Sequence, residues 1–112
     1  MIVRVGLDVV EVARIEEAIA RPRFLERILT PREREECRTI LRIAGRWAAK
    51  EAIAKAVDIK LKWHDVEISN DAVGAPVAVI NHPIFRDGSH RIHLSLSHER
   101  GIAAAVAILE QI

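Results

Sequence analysis

The sequence predicts an α+β fold, in which a mainly antiparallel sheet packs against one long helix and several shorter helices. The chain has 112 residues, which suits a single domain spanning residues 1–112. Apolar residues recur at helical spacing through much of the first half. Alternating or β-branched segments separated by short turns fill the second half, and strands joined in this way pair antiparallel.

The N-terminal segment alternates and is rich in β-branched residues from Ile2 to Leu7, which predicts a strand ending at Asp8. Helical spacing follows over residues 10–20, and Pro22 ends that helix. Its inward face is predicted to carry Val12, Ile15 and Ile19. A second face, predicted to be exposed, carries Arg14, Ala18 and Arg21.

The middle of the chain predicts further helix. Residues 24–29 predict a short helical turn. The run Thr30-Pro31-Arg32-Glu33 is typical of a helix start, because threonine caps the helix, proline suits its first position and glutamate completes a capping box. From there the helix is expected to reach about Val57, with an interruption near Gly45.

The second half predicts two pairs of strands, at residues 65–69, 76–80, 91–97 and 101–109. Residues 81–89 between the pairs are expected to be loop or irregular helix. Alternation in the third strand places Ile92, Leu94 and Leu96 on one face and His93, Ser95 and Ser97 on the other. The last strand is apolar on both faces. In a domain this small a second subunit is the expected cover, so an oligomer is predicted.

Composition argues against several classes of protein. A formal net charge of +1 gives no reason to expect general nucleic-acid binding. No apolar run approaches the roughly 20 residues of a spanning helix, so no membrane association is expected. The single cysteine, Cys37, cannot form an internal disulfide, which favours a reducing cytoplasm.

Three segments carry polar side chains that suit chemistry, although each also has a simpler structural explanation. Asp8 follows Gly6, which permits close packing, but an aspartate here also suits a helix cap. Glu51 shares a helix side with Lys55 and small alanines that leave room for a ligand, yet a pair at this spacing is ordinarily a surface ion pair worth about 0.3–0.5 kcal/mol. The polar strand face of His93 also suits a solvated surface.

In combination and in this order, these segments resemble the holo-(acyl-carrier-protein) synthase family of 4′-phosphopantetheinyl transferases along almost the whole chain. Three motifs carry the resemblance: GLDVVEVARI at residues 6–15, AGRWAAKEAIAKA at residues 44–56 and HLSLSH at residues 93–98. The stretch RFLERILTP at residues 23–31 resembles the family's linker into its next helix.

The resemblance implies an enzyme that transfers 4′-phosphopantetheine from coenzyme A to a serine of acyl carrier protein, releasing adenosine 3′,5′-bisphosphate. It implies Mg²⁺ as the cofactor, held by Asp8 and Glu51, with Lys55 as a third catalytic group. It also implies a homotrimer with active sites between subunits. The implied coenzyme A contacts are Arg46, Lys50, Lys55 and His98. The implied docking residues for acyl carrier protein are Arg14 and Arg21.

One segment departs from the family pattern. Val57-Asp58-Ile59-Lys60 stands where the family has a glycine-containing turn, and an aspartate near an anionic ligand is unfavourable unless it points away. Three alternatives stay open. This departure motivates the first, a degenerate member that binds carrier protein without transfer. The second is a magnesium-dependent nucleotide phosphohydrolase that uses the same carboxylates on water, and the third is a plain structural or interaction protein.

Overall fold

The computed structural model describes every residue from Met1 to Ile112. A three-stranded antiparallel sheet has the order β1-β5-β4, and β2 and β3 form a separate antiparallel pair. The α+β class predicted from the sequence is confirmed. The elements in chain order are β1 (Ile2–Glu11), α1 (Val12–Ile19), α2 (Phe24–Ile28), α3 (Pro31–Glu36), α4 (Ile40–Val57), a 3-10 turn (Trp63–Asp65), β2 (Val66–Asn70), β3 (Pro76–Ile80), α5 (Pro83–Arg86), β4 (His90–Glu99) and β5 (Ile102–Gln111).

The long helix α4 forms the centre of the molecule, in contact with α1 and with all three strands of the larger sheet. Its buried side chains are not confined to one stripe, because neighbours approach it from several directions. The expectation that alanines beside Glu51 leave room for a ligand is wrong for Ala44 and Ala48, which are both 0% exposed. These small side chains instead allow close contact with the protein's own elements.

The two faces of the larger sheet differ in their burial. Ala103, Ala105, Ala107 and Leu109 of β5 are buried on the face that meets α4. The opposite side, here called the outer sheet face, exposes apolar side chains of β1 at 56–60% and continues across β5 to a polar stripe on β4. Its members are Val5, Leu7, Val9, Ala104, Val106, Ile108, His93, Ser95 and Ser97.

Two boundaries near the N-terminus differ from prediction. Strand β1 continues to Glu11, which pairs with Ile102, because β5 supplies backbone partners along its full length. Helix α1 therefore begins only at Val12. Ala18 was expected on the exposed side of this helix but is only 8% exposed, so it belongs to the inward face.

The helix start at Thr30 is confirmed, since both halves of the capping box with Glu33 are present. The interruption expected near Gly45 lies instead at residues 37–39. Thr39 ends it as a new cap, accepting a hydrogen bond from Arg42 N at 3.3 Å. None of the helices has the length and apolar composition needed to cross a membrane.

Candidate active site

The candidate site lies where β1 crosses α4. A Cβ atom on Gly6 would lie 2.0 Å from the carbonyl oxygen of Ala52, so this crossing requires glycine. Because strand side chains alternate, Asp8 lies on the same side of β1 as Gly6, and its carboxylate contacts Lys55 of the same helix. The motif spacing thus brings Asp8 to Glu51 and Lys55.

Lys55 is paired with Asp8 rather than with Glu51. Its Nζ donates to Leu7 O at 2.9 Å and to Asp8 Oδ1 at 3.3 Å. The side chain of Asp8 is only 14% exposed, whereas that of Lys55 is 55% exposed. The ordinary surface ion pair between Glu51 and Lys55 is therefore not formed, and Lys55 instead links the helix to the strand that carries Asp8.

Glu51 is half-buried and makes no side-chain hydrogen bond within the protein. Burial raises its pKa, the nearby carboxylate of Asp8 raises it further, and the cations of Lys55 and Arg14 act in the opposite direction. Two carboxylates that repel each other suit a hard divalent cation such as Mg²⁺, which takes one or two carboxylates together with phosphate and water oxygens. No third His, Cys, Asp or Glu joins them, so a bound ion would take its other ligands from substrate and solvent.

A small cavity of about 60 Å³ adjoins Glu51. One wall is the face of α4 that carries Glu51, and the other is the segment running into β2. The residues that line the cavity are Lys50, Glu51, Ala54, Leu61, Lys62, Trp63 and Val66.

Lys50 does not have the position that its predicted role in coenzyme A binding requires. Its side chain is 2% exposed, and its Nζ lies 2.6 Å from Oε1 of Glu33, whose side chain is 0% exposed. The same Nζ donates to the carbonyl oxygens of Ile28 and Trp63, at 2.8 and 3.0 Å. Burial lowers the pKa of Lys50, and Glu33 opposes that change. All three N–H donors are used inside the protein, so we correct the prediction for Lys50.

Arg46 is buried without a carboxylate partner. Its Nη2 donates to Asn70 Oδ1 at 3.0 Å, and its buried Nε has no hydrogen-bond partner. Asn70 in turn donates to Gly74 O at 3.0 Å in the turn between β2 and β3. An uncompensated guanidinium of this kind suits an anionic ligand, so Arg46 stays a predicted contact for the nucleotide.

His98 lies apart from the carboxylate pair within one chain. It is exposed near the end of β4, beside an open cavity of about 400 Å³ that Arg100 and Ile102 also line. Strand β5 separates β4 from the β1 strand of Asp8. The site therefore gathers Asp8, Glu51 and Lys55 but not His98.

The predicted docking residues Arg14 and Arg21 are both exposed, and Arg14 is close enough to Glu51 to lower the pKa of that carboxyl group.

Asp58, the departure from the family pattern, ends α4 with a positive φ of 46°. Its carboxylate lies 3.5 Å from Arg4 and is 77% exposed. Asp58 therefore pairs with a cation at the surface and is oriented toward β1.

Sequence reasoning missed the importance of Glu33. It was assigned only to the capping box, yet its carboxylate also accepts from Lys50 and from Ile68 N at 2.9 Å. A signal was present, because a lysine among the alanines of a central helix needs a buried partner. The sequence offered many acidic residues and no means of choosing among them.

Comparison with known proteins agrees with this description. A family model described as the 4′-phosphopantetheinyl transferase superfamily matches residues 4–107. The holo-(acyl-carrier-protein) synthase of Shouchella clausii is 44% identical, covering 98% of this chain and 99% of that protein. The protein of the same name from Beutenbergia cavernae is 43% identical, covering 99% of this chain and 100% of that protein.

Solved structures give the same result. The holo-(acyl-carrier-protein) synthase of Helicobacter pylori in complex with coenzyme A has a TM-score of 0.86 and 34% identity, covering 95% of this chain and 99% of that one. The Bacillus anthracis protein in complex with coenzyme A (3′,5′-ADP) has a TM-score of 0.87 and 36% identity, covering 100% and 99%. The resemblance found in the sequence is confirmed, and this chain belongs to the 4′-phosphopantetheinyl transferase superfamily.

Proposed function

We propose that this chain is a holo-(acyl-carrier-protein) synthase, which transfers 4′-phosphopantetheine from coenzyme A to a serine of apo-acyl carrier protein. The observation that carries the proposal is the meeting of Asp8, Glu51 and Lys55 at the β1–α4 crossing. Relatives that match over their full length bear this enzyme's name, and solved structures of the same fold are described in complex with coenzyme A.

In this proposal Asp8 and Glu51 would hold Mg²⁺. When bound, the ion supplies positive charge to the pyrophosphate of coenzyme A, and phosphoryl transfer depends mainly on such positioning and charge stabilisation. Lys55 is held by Leu7 O and Asp8, and it presents a second cation to the charge that develops on the leaving group.

The serine hydroxyl of the carrier attacks the phosphorus that bears pantetheine, and the bond to adenosine 3′,5′-bisphosphate breaks. The serine proton needs an acceptor at the site. Glu51 and a water bound to the metal are the two candidates for this acceptor.

The proposed enzyme is a homotrimer in which each active site lies between two subunits, so that a neighbouring subunit completes the part of the site that binds the nucleotide. The outer sheet face exposes Val5, Leu7 and Val9 at 56%, 60% and 59%, which is a contiguous apolar surface suited to a second copy. His98 lies away from Asp8 in its own chain, so it would serve the site of a neighbouring subunit. Arg46, whose guanidinium has no carboxylate partner, would supply positive charge to the nucleotide end of the site.

Arg14 and Arg21 receive the carrier protein in this proposal. Acyl carrier proteins are acidic, so exposed arginines beside the site would speed the encounter and orient the incoming serine. We place the enzyme in the cytoplasm, where the free and buried Cys37 would stay reduced.

The test is incubation with apo-acyl carrier protein, coenzyme A and Mg²⁺, followed by mass spectrometry of the carrier. The expected result is a gain of one phosphopantetheine, lost in Asp8→Ala and Glu51→Ala and slowed in Lys55→Ala. Glu16→Ala, which changes an exposed carboxylate of α1, is the matched control. No mass gain with wild-type enzyme would overturn the proposal, and nucleotide hydrolysis without carrier would favour the phosphohydrolase alternative.

A further inference from the structure

The buried pair of Lys50 and Glu33 connects α4 to several other elements. Lys50 Nζ reaches the end of α2 through Ile28 O, α3 through Glu33 Oε1 and the 3-10 turn through Trp63 O. Glu33 adds the β2 strand, because its Oε2 accepts from Ile68 N. One lysine and one glutamate thus fix five elements around a single point in the core.

That point is adjacent to Glu51 in the chain and in space. The side chain of Glu51 makes no hydrogen bond to another protein group, so the α4 backbone that carries it and the residues packed around it decide where its carboxylate lies. The cavity beside Glu51 lies between α4 and the Leu61–Val66 segment. Lys50 donating to Trp63 O is the only hydrogen bond that joins the two walls. The Lys50–Glu33 pair therefore fixes the positions of both walls of this cavity, α4 and the Leu61–Val66 segment.

We propose that Glu33 and Lys50 are positioning residues that hold Glu51 in place for the metal, in addition to stabilising the fold. The proposal rests on the proposed function, since it takes Glu51 to be a Mg²⁺ ligand. Neither residue touches substrate, because both side chains are almost completely buried. Their effect passes through the α4 backbone on one side and through Trp63 on the other.

Calorimetric titration of Mg²⁺ into enzyme saturated with coenzyme A tests this without catalysis, because nothing is transferred when carrier protein is absent. Glu33→Gln leaves the buried ammonium without its counter-charge and loosens the anchor. We expect Mg²⁺ affinity to fall at least about tenfold, as is usual when residues supporting a metal ligand are changed. The Michaelis constant for carrier protein should not change, because Arg14 and Arg21 are untouched.

The control for Glu33→Gln is Glu36→Gln, on the same helix. Glu36 forms an exposed ion pair with Arg32 at 3.1 Å, so the same chemical change occurs without a buried partner. Its Mg²⁺ affinity should equal that of the wild type. The Mg²⁺ titrations should be made at a temperature at which circular dichroism shows that each variant is fully folded.

The double variant Glu33→Gln, Lys50→Met separates positioning from stability. Removing both buried charges restores stability toward the wild type, since an uncharged core of similar volume is well tolerated. The donor to Trp63 O stays absent, so Mg²⁺ affinity should stay low. Recovery of Mg²⁺ affinity in parallel with stability, or wild-type affinity in folded Glu33→Gln, would overturn the inference.

Failure of the proposed function has a different result. In that case the wild-type enzyme itself would show neither Mg²⁺-dependent binding of coenzyme A nor transfer to carrier protein.

Discussion

Gly6 of β1 and Ala52 of α4 meet so closely that a methyl group on Gly6 would lie 2.0 Å from the Ala52 carbonyl oxygen. This contact sets how deeply the strand lies against the helix. Asp8, two residues further along β1, owes its place beside Lys55 to the same approach. The glycine of the first motif therefore acts on the site through packing.

Gly6→Ala should destabilise the protein and weaken transfer, because the strand must move away from α4 and take Asp8 with it. Overpacking of this kind costs about 1–3 kcal/mol or more in the free energy of unfolding, which urea denaturation measures. Gly45→Ala is the matched control, since its Cβ would lie 3.6 Å from Leu96 and meets no clash. That helix-interior change should stabilise by roughly 0.5–1 kcal/mol. Equal effects of the two substitutions would contradict the role assigned to Gly6.

Glu51→Gln should raise the melting temperature near neutral pH when no divalent ion is present. The folded state raises the pKa of Glu51 above its ordinary 4.5, so it binds this proton more strongly than the unfolded chain. The protonated carboxyl group therefore contributes stability at low pH, and this contribution is lost as pH rises from the unfolded-state pKa through the raised pKa of the folded state. Glutamine escapes this loss, and the difference should vanish below pH 4.5. A lower melting temperature for Glu51→Gln at neutral pH would refute the argument.

Asp58→Gly should stabilise the protein, because glycine avoids the cost of about 1–2 kcal/mol that other residues bear in a left-handed conformation. The gain is reduced by loss of the exposed ion pair with Arg4, which is worth at most about 1 kcal/mol. Asp58→Ala should be destabilising, since alanine keeps the strain and loses the pair. Thermal denaturation should therefore rank the variants glycine, aspartate, alanine, with transfer activity unchanged in all three.

Arg21→Ala should raise the Michaelis constant for acyl carrier protein severalfold and leave the catalytic rate constant unchanged. Arg21 is exposed and contributes nothing to the pKa of Glu51, so its removal deletes a docking charge only. The rate at low carrier concentration should also become less sensitive to salt. Arg32→Ala, an exposed arginine on α3, serves as the control. An identical response from both variants would show that the docking surface lies elsewhere.

Val5→Asp should convert the proposed trimer to monomers, because it places a charge in the outer sheet face. Analytical ultracentrifugation measures the change, and coenzyme A binding should weaken with it because His98 of a neighbour is lost. Val73→Asp introduces the same charge at a residue that is 88% exposed in the β2–β3 turn, and assembly should persist. A wild-type protein that sediments as a monomer would contradict the proposed assembly.

Local signals in the sequence were sufficient for most of the fold. The capping box at Thr30 uses atoms within one helical turn, and hairpin strands such as β4 and β5 are joined by a turn of a few residues. Errors occurred where pairing with a distant strand decided the result. Strand β1 ran on to Glu11 because β5, from the other end of the chain, continued to supply partners.

The sequence by itself determined the three motifs, and the family resemblance that they carry was enough to name Asp8, Glu51 and Lys55 as candidate site residues. Only the tertiary structure decided which charges pair. Lys55 forms an ion pair with Asp8 instead of its helical neighbour Glu51, and Lys50 forms one with Glu33 in the core. The physical reason is that an ion pair depends on distance and burial across separate elements, whereas the periodic pattern of a helix reports only which residues share a side.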